Sequence, residues 1–304
     1  MAAGDGRSYT AGRFFLEVNN QRVAFLKKFD GLSMEADIVA NDLGPDNFQA
    51  KHVANVKWTP GKATVGAGMG KGMYDWINQS FEKSFSYQSG ALTAADFDYR
   101  AQSTLTFTNA LITSVAFPKL DGSSKDAIYL DVEFDAEQVR WAKGDNKVIK
   151  GDYGIKQKAW LASNFRFHMG GLPCNRVATV DAMTWKCAVA PDQIGIFREP
   201  TKHPAKVTVP DIKIEVSMAD YEPWQQQAKK WFIDGNHLGG DEMDGSIELL
   251  GPDMQRVVGT IELKHCGFKK FSKGALEANS EKIARFSVEF YCEQMKFTMP
   301  YTDA

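Results

Sequence analysis

Val132-Glu133-Phe134-Asp135-Ala136-Glu137-Gln138 is the stretch that decides the fold, because it returns near the end of the chain as Val288-Glu289-Phe290-Tyr291-Cys292-Glu293-Gln294. The spacing is 288 − 132 = 156 residues. It holds upstream without a gap. Leu105 aligns with Ile261, Phe107 with Leu263, Ala110 with Cys266, Ile112 with Phe268, Val115 with Phe271 and Leu120 with Leu276. Ile128, Leu130, Val132 and Phe134 alternate with polar neighbours, as do Ala284, Phe286, Val288 and Phe290. That is the period of a strand with one buried face. Self-similarity of this extent predicts two tandem copies of one fold.

Earlier in each copy the spacing changes. Phe29-Asp30-Gly31-Leu32-Ser33-Met34-Glu35 aligns with Val180-Asp181-Ala182-Met183-Thr184-Trp185-Lys186, and 180 − 29 = 151. Aligning Val53–Trp58 with Val209–Ile214 places the five extra residues between about 187 and 208, where Pro191, Pro200 and Pro204 suggest irregular chain. Phe14, Leu16 and Val18 predict a first strand, turning at Asn19-Asn20-Gln21 into a return over Val23–Phe29. Phe165, Phe167 and Met169, turning at Gly170-Gly171, are the counterpart. Each copy then holds one helix candidate. Met73, Trp76, Ile77 and Phe81 share a helical face, and Trp224, Ala228 and Trp231 recur within 221–233. The expected fold is mainly β with one helix per domain, a tandem duplicated β-barrel or sandwich. The expected boundaries are a domain over 1–141, a linker or exposed hairpin over 142–160 with five lysines and three glycines in its first 17 residues, and a domain over 161–304. The first dozen residues predict a loose arm. Stretches 40–52, 85–100 and 142–158 are expected to be long loops.

At 304 residues the chain fits two domains of ordinary size. A net charge of −2 argues against a dedicated nucleic-acid binder. The start of the chain lacks the apolar core of a signal peptide, and no apolar run approaches a membrane span, so cytoplasmic folding without a membrane anchor is expected. Cys174, Cys187, Cys266 and Cys292 form no C-x-x-C pair and are expected to be buried free thiols.

Catalytic signals are poor. His52, His168, His203, His237 and His265 show no metal-ligand spacing. His265 and Cys266 are adjacent on an expected strand and face opposite sides, so they cannot act as base and nucleophile. Gly66-Ala67-Gly68-Met69-Gly70-Lys71-Gly72 resembles a phosphate loop but has Val65 where the first glycine belongs and Gly72 where the hydroxyl belongs. Asp241-Glu242-Met243-Asp244 is expected to be a solvated turn, with weak divalent-ion binding as the alternative. No catalytic, cofactor or metal residue is assigned.

The opening strand pair ending in Phe29-Asp30-Gly31-Leu32, the helix Met73-Tyr74-Asp75-Trp76-Ile77 and the closing Val132-Glu133-Phe134 strand resemble the tail tube family of contractile phages, including the inner-tube proteins of phage-like contractile injection systems. The resemblance covers roughly 12–141 well and 163–297 more weakly, where Pro223-Trp224-Gln225-Gln226 departs from the helix pattern. It implies a structural subunit, not an enzyme, that assembles with itself into six-fold rings around a channel. Two units per chain imply three chains per ring, as a tube subunit or as an adaptor between a three-fold spike or hub and the tube. Sheath, spike or hub and other tube proteins are the implied partners, with nucleic acid or protein as cargo in the lumen. The implied setting is assembly in a cytoplasm and a place in a virion tail or injection particle. Phe29, Leu32, Trp76, Ile77, Val132, Phe134, Trp224, Trp231, Val288 and Phe290 are the candidate structural and assembly residues. The alternative is a duplicated β protein that binds carbohydrate or a small ligand through exposed aromatics such as Trp224.

Overall fold

A computed structural model of the chain describes residues 12–42, 49–66, 69–149, 160–273 and 283–299. Most of the expected N-terminal arm, part of the glycine loop and part of the expected linker lie outside the described residues. The first half contains β1 (Arg13–Val18), β2 (Gln21–Asp30), β3 (Met34–Asp42), β4 (Gln49–Trp58), β5 (Gly61–Gly66), α1 (Lys71–Phe81), β6 (Gln88–Ala95), β7 (Ala101–Phe117), β8 (Leu120–Asp121) and β9 (Tyr129–Lys143). The second contains β10 (Phe165–Met169), β11 (Val177–Val180), β12 (Met183–Asp192), β13 (Thr201–Thr208), β14 (Ile212–Ser217), α2 (Tyr221–Phe232), β15 (Met243–Leu250), β16 (Val257–Lys273) and β17 (Arg285–Thr298). The chain is thus mainly β, with one α-helix described in each half.

Six strands close on themselves in the order β7-β6-β1-β2-β5-β9, because β9 also pairs with β7. Closure removes the free edges of a sheet. Its inward row is Leu130, Val132, Phe134 and Ala136, each fully buried. The outward row, Asp131, Glu133 and Asp135, is half-buried. The second sheet runs β10-β15-β16-β17-β14-β11-β8 and stays open, with β10 and β8 at its ends. The sheets exchange strands. β8 comes from the first half but pairs with β11, and the β12–β13 hairpin comes from the second half but extends the first sheet at β7.

The repeat is written into the strand registers. Ile112↔Phe134 and Val115↔Val132 in β7–β9 reappear as Phe268↔Phe290 and Phe271↔Val288 in β16–β17. Both ladders shift register at the same place, between Ile112 and Ser114 and between Phe268 and Lys270. Asn109 and its counterpart His265 both take left-handed backbone, φ 50° and 53°. The two hairpins also match. Glu35↔Lys57, Ile38↔Val53 and Ala40↔Lys51 in β3–β4 correspond to Lys186↔Thr208, Val189↔Pro204 and Pro191↔Lys202 in β12–β13, each with one bulge.

These registers correct the placement of the extra residues. Gly61 faces Phe134 and Ile212 faces Phe290, so the spacing of 151 persists through β5 and β14. Val53–Trp58 therefore does not correspond to Val209–Ile214. The spacing falls to 224 − 76 = 148 at the tryptophans that seat the helices, then rises to 247 − 92 = 155 at β6 and β15. The insertion lies between α2 and β15, balanced in part by the shorter entry to α2. Pro191 and Pro204 sit in hairpin strands, where proline is tolerated at a sheet edge. Two expected loops also contain strand. Stretch 40–52 takes in the end of β3 and the start of β4, and 85–100 contains β6. Small residues hid β6, and one of them is needed. A Cβ on Gly90 would lie 2.0 Å from the Glu17 carbonyl oxygen of the neighbouring strand.

The helices seat equivalent aromatics. Trp76 of α1 lies 5.6 Å from Phe134, which meets Phe107 at 5.0 Å. Trp224 of α2 lies 6.2 Å from Phe290, which meets Phe268 at 4.9 Å. Phe297 at the end of β17 touches Tyr74, Phe117 and Trp160, so one apolar core runs through both halves. Phe134→Ala is expected to destabilise the protein by about 4 kcal/mol, from lost burial plus a residual cavity. Urea unfolding followed by tryptophan fluorescence measures it.

Candidate assembly interface

One edge of β7 carries β6 as far as Ala110. Beyond it, Ser114, Val115, Ala116 and Phe117 pair with Lys186, Trp185, Thr184 and Met183 of β12. A strand edge exposes backbone donors and acceptors, and this hairpin covers them. Trp185, 1% exposed, packs against Phe81 of α1 with ring centroids 5.0 Å apart.

Polar contacts clasp the other strand of the hairpin. Lys202 of β13 is only 5% exposed. Its ammonium pairs with Asp135 and donates to the Ala136 carbonyl at 2.8 Å. Its backbone N–H donates to Glu137 at 2.9 Å, and the Tyr87 hydroxyl donates to its carbonyl at 2.8 Å. Glu137 is held from the other side by the Asn109 amide at 2.7 Å. Glu199, just before β13, accepts a two-pronged bond from Arg140 at 2.7 Å on each oxygen, and a third from the Trp58 indole at 2.8 Å. The Arg140 guanidinium, then the Trp58 N–H, hold the Glu199 carboxyl below its ordinary range. Elsewhere along the joint, Lys296 of β17 pairs with Glu82 after α1 at 2.7 Å.

The β3–β4 hairpin has the same backbone with its apolar row uncovered. Met34, Ile38, Val39 and Val53 are 54%, 57%, 47% and 58% exposed. Among the described residues, β3 and β4 pair only with each other. On the second sheet, β15 pairs with β16 as far as Cys266, and among the described residues no strand continues along that edge past it. Beside this edge lies a groove of about 700 Å³ against α2, lined by Tyr221, Gln225, Lys229, Phe232, Lys270 and Phe271. Residue-by-residue reading missed these surfaces. Lys51-His52 repeating as Lys202-His203 at spacing 151 is the signal that could have found them.

The ten candidate assembly residues belong to the core. Leu32, Trp76, Ile77, Val132, Phe134, Trp224, Trp231, Val288 and Phe290 are buried and Phe29 is half-buried. Their side chains pack inside the two sheets. Trp224 donates its indole N–H to the Pro173 carbonyl at 3.0 Å, which leaves it no face for a sugar.

The acidic run 241–244 divides its roles. Asp244 bonds Lys264 at 2.8 Å and the His265 N–H at 3.2 Å, and both depress its pKa. Glu242 accepts from the Tyr291 hydroxyl at 2.9 Å; burial, then that bond, raise Tyr291 to about 12. Glu242, His265 and Glu293 bring ligand atoms within 4.8 Å of one another. His265 is exposed while Cys266 is buried, so the two do face opposite sides. Cys266 instead meets Cys292 across the ladder; the hydrogen bond between the thiols and burial raise the Cys266 pKa. All four cysteines are free. Lys71 of the glycine loop pairs with Asp75 one turn along α1. Among the described residues, no helix is long and apolar enough to cross a membrane.

Neither a protein-family model nor a curated protein matches the sequence. Solved structures do. A chain from the extended sheath–tube complex of the extracellular contractile injection system PVC is 20% identical with a TM-score of 0.41; the match covers 46% of this chain and 94% of that one. A chain from the cap that terminates the anti-feeding prophage tube is 17% identical with a TM-score of 0.40, covering 47% and 99%. A chain from the anti-feeding prophage baseplate is 15% identical with a TM-score of 0.37, covering 46% and 95%. The chain is therefore similar to components of contractile injection systems, each match spanning a little under half of it.

Removing the buried ammonium strands Asp135 and the Ala136 carbonyl. Lys202→Met is expected to cost about 3 kcal/mol in urea unfolding. Glu199 has a depressed pKa when folded. Its contribution is present above the unfolded carboxylate pKa and lost as pH falls through the folded value. The stability gap between wild type and Glu199→Gln should be full at pH 7 and shrink at pH 3, measured by chemical unfolding at each pH.

Proposed function

We propose that this protein is a structural subunit of a phage tail or phage-like contractile injection system. It would build pseudo-hexameric rings of the inner tube, or of the adaptor that starts the tube beside a three-fold spike or hub. The observation that supports this most is the strand addition between the halves. The second half lends a hairpin to the first, while an equivalent hairpin of the first half has no strand partner among the described residues. A unit that both accepts and donates a hairpin suits head-to-tail assembly, which closes into a ring when the rotation per step permits.

On this reading each chain is two tandem tube-like units, near 1–141 and 161–304, and supplies two of six places. Three chains then complete a ring. The buried candidates such as Trp76, Phe134, Trp224 and Phe290 act by holding the units in shape. The role needs no catalysis and no cofactor. Sheath, spike or hub and other tube proteins are the partners, cargo passes through the lumen, and the chain is assembled in a cytoplasm and works in a particle.

The test is the mass of the purified particle in solution. Three chains of 33.8 kDa give about 101 kDa, and stacked rings give multiples of it. Images should show a disc with a central opening. A chain that stays monomeric at all concentrations and binds a sugar or small ligand saturably would overturn the reading.

A further inference from the structure

The joint inside the chain is a template with one set of parts unused. Shifting the β12–β13 hairpin by 151 gives β3–β4, and shifting its seat on β7 and β9 by 156 gives β16 and β17. Under those shifts Trp185 becomes Met34, Lys186 becomes Glu35 and Lys202 becomes Lys51. Val115 becomes Phe271, Ser114 becomes Lys270, Glu137 becomes Glu293 and Asn109 becomes His265.

We propose that the β3–β4 hairpin of a second copy of this chain docks on the β16 edge at Lys270–Lys273, with Met34 entering the α2 groove and Lys51 entering the acidic cluster of Glu242 and Glu293. The proposal rests on the ring reading above and deepens it by naming the surfaces.

Four observations converge on it. The two hairpins share register and bulge, so a seat that accepts one backbone accepts the other. Among the described residues the seat is open: pairing on that edge ends at Cys266, and the groove of about 700 Å³ lies where Trp185 sits against Phe81 in the first half. Exposed Met34 is a flexible apolar side chain suited to an irregular gap. The charges are complementary. Glu35 would face Lys270, an ion pair at the position where the internal joint sets Lys186 against the neutral Ser114. Exposed Lys51 would sit over the Tyr291–Glu293 stretch: Tyr291, the counterpart of the Asp135 that pairs with the Lys202 ammonium, holds the Glu242 carboxylate by its hydroxyl, and Glu293 is the counterpart of the Glu137 that accepts the Lys202 backbone N–H. His265 and Glu293 stand where Asn109 and Glu137 stand beside Lys202. The cluster that resembles a metal site is thus the receptor for an ammonium.

Two kinds of variant test it, both in the full chain and both at exposed or half-exposed positions. Lys51→Glu should raise the concentration at half-assembly by about 100-fold, since like charges then meet in a desolvated joint. Combining it with Glu293→Lys should restore most of that loss, read by mass photometry across a dilution series. Ser33→Cys with Ser272→Cys places thiols at paired positions, equivalent to Thr184 and Ala116. Paired strand residues lie within disulfide reach. Mild oxidation should give covalent dimers and trimers ending at a closed trimer on a non-reducing gel. If wild type assembles but Lys51→Glu assembles equally and the two thiols never join chains, the docking is wrong while the ring reading stands. If assembly survives Lys51→Glu but is lost on adding a chelator, the acidic cluster holds a metal and the docking is again wrong. If wild type never assembles, the ring reading fails first and takes the docking with it.

Discussion

The architecture depends on the edge of one long strand. β7 has 17 residues, more than β6 can cover, and β6 leaves one side of Ser114–Phe117 to be paired from elsewhere. Leaving those backbone groups buried without partners would cost more than any side chain there could return. A strand from the other half of the chain supplies the partners. The remaining contacts of the joint follow from that ladder. Trp185 is delivered to Phe81, Lys202 to Asp135, and Glu199 to Arg140 and Trp58 because the hairpin is already in register.

The two halves keep this backbone plan and change the side chains on it. Where β1 pairs with β2 in the first barrel, β11 of the second sheet pairs with β8 in place of β10, and the sheet stays open. Where one hairpin carries a rigid, buried tryptophan, the other carries exposed methionine and isoleucine. Apolar residues in a row on a two-stranded ribbon are poorly suited to permanent contact with water. The counterpart of Met34, Trp185, is covered, and that contrast within a single molecule carries more weight than exposure alone.

Much of this plan is legible in the sequence, and the boundary has physical causes. β9 and β17 are long and alternate over Tyr129–Ala136 and Arg285–Cys292, so their period survives without context. Trp76 and Trp224 mark the helices because bulky aromatics recur on one face. β6 is not legible, since Gly90 and its small neighbours are chosen for close backbone approach and carry no hydrophobic signal. The hairpins are obscured because they fold away from their own half and their apolar residues look like loop. The joint is obscured for the same reason. Lys202 reads as a surface lysine until a strand distant in sequence places it over Asp135. Glu242, Glu293 and His265 come from three separate strands or turns, and no local spacing unites them.

The covalent link between the halves has a consequence for how such an object comes apart. A partner tethered on the same chain is present at an effective concentration on the order of millimolar, whatever the bulk concentration. The Trp185 joint therefore persists on dilution, whereas any joint between separate chains responds to it. In a closed ring of three chains the two kinds would alternate, three tethered and three free. Such a ring opens at every second boundary, and its mechanical symmetry is three-fold even where its backbone follows six.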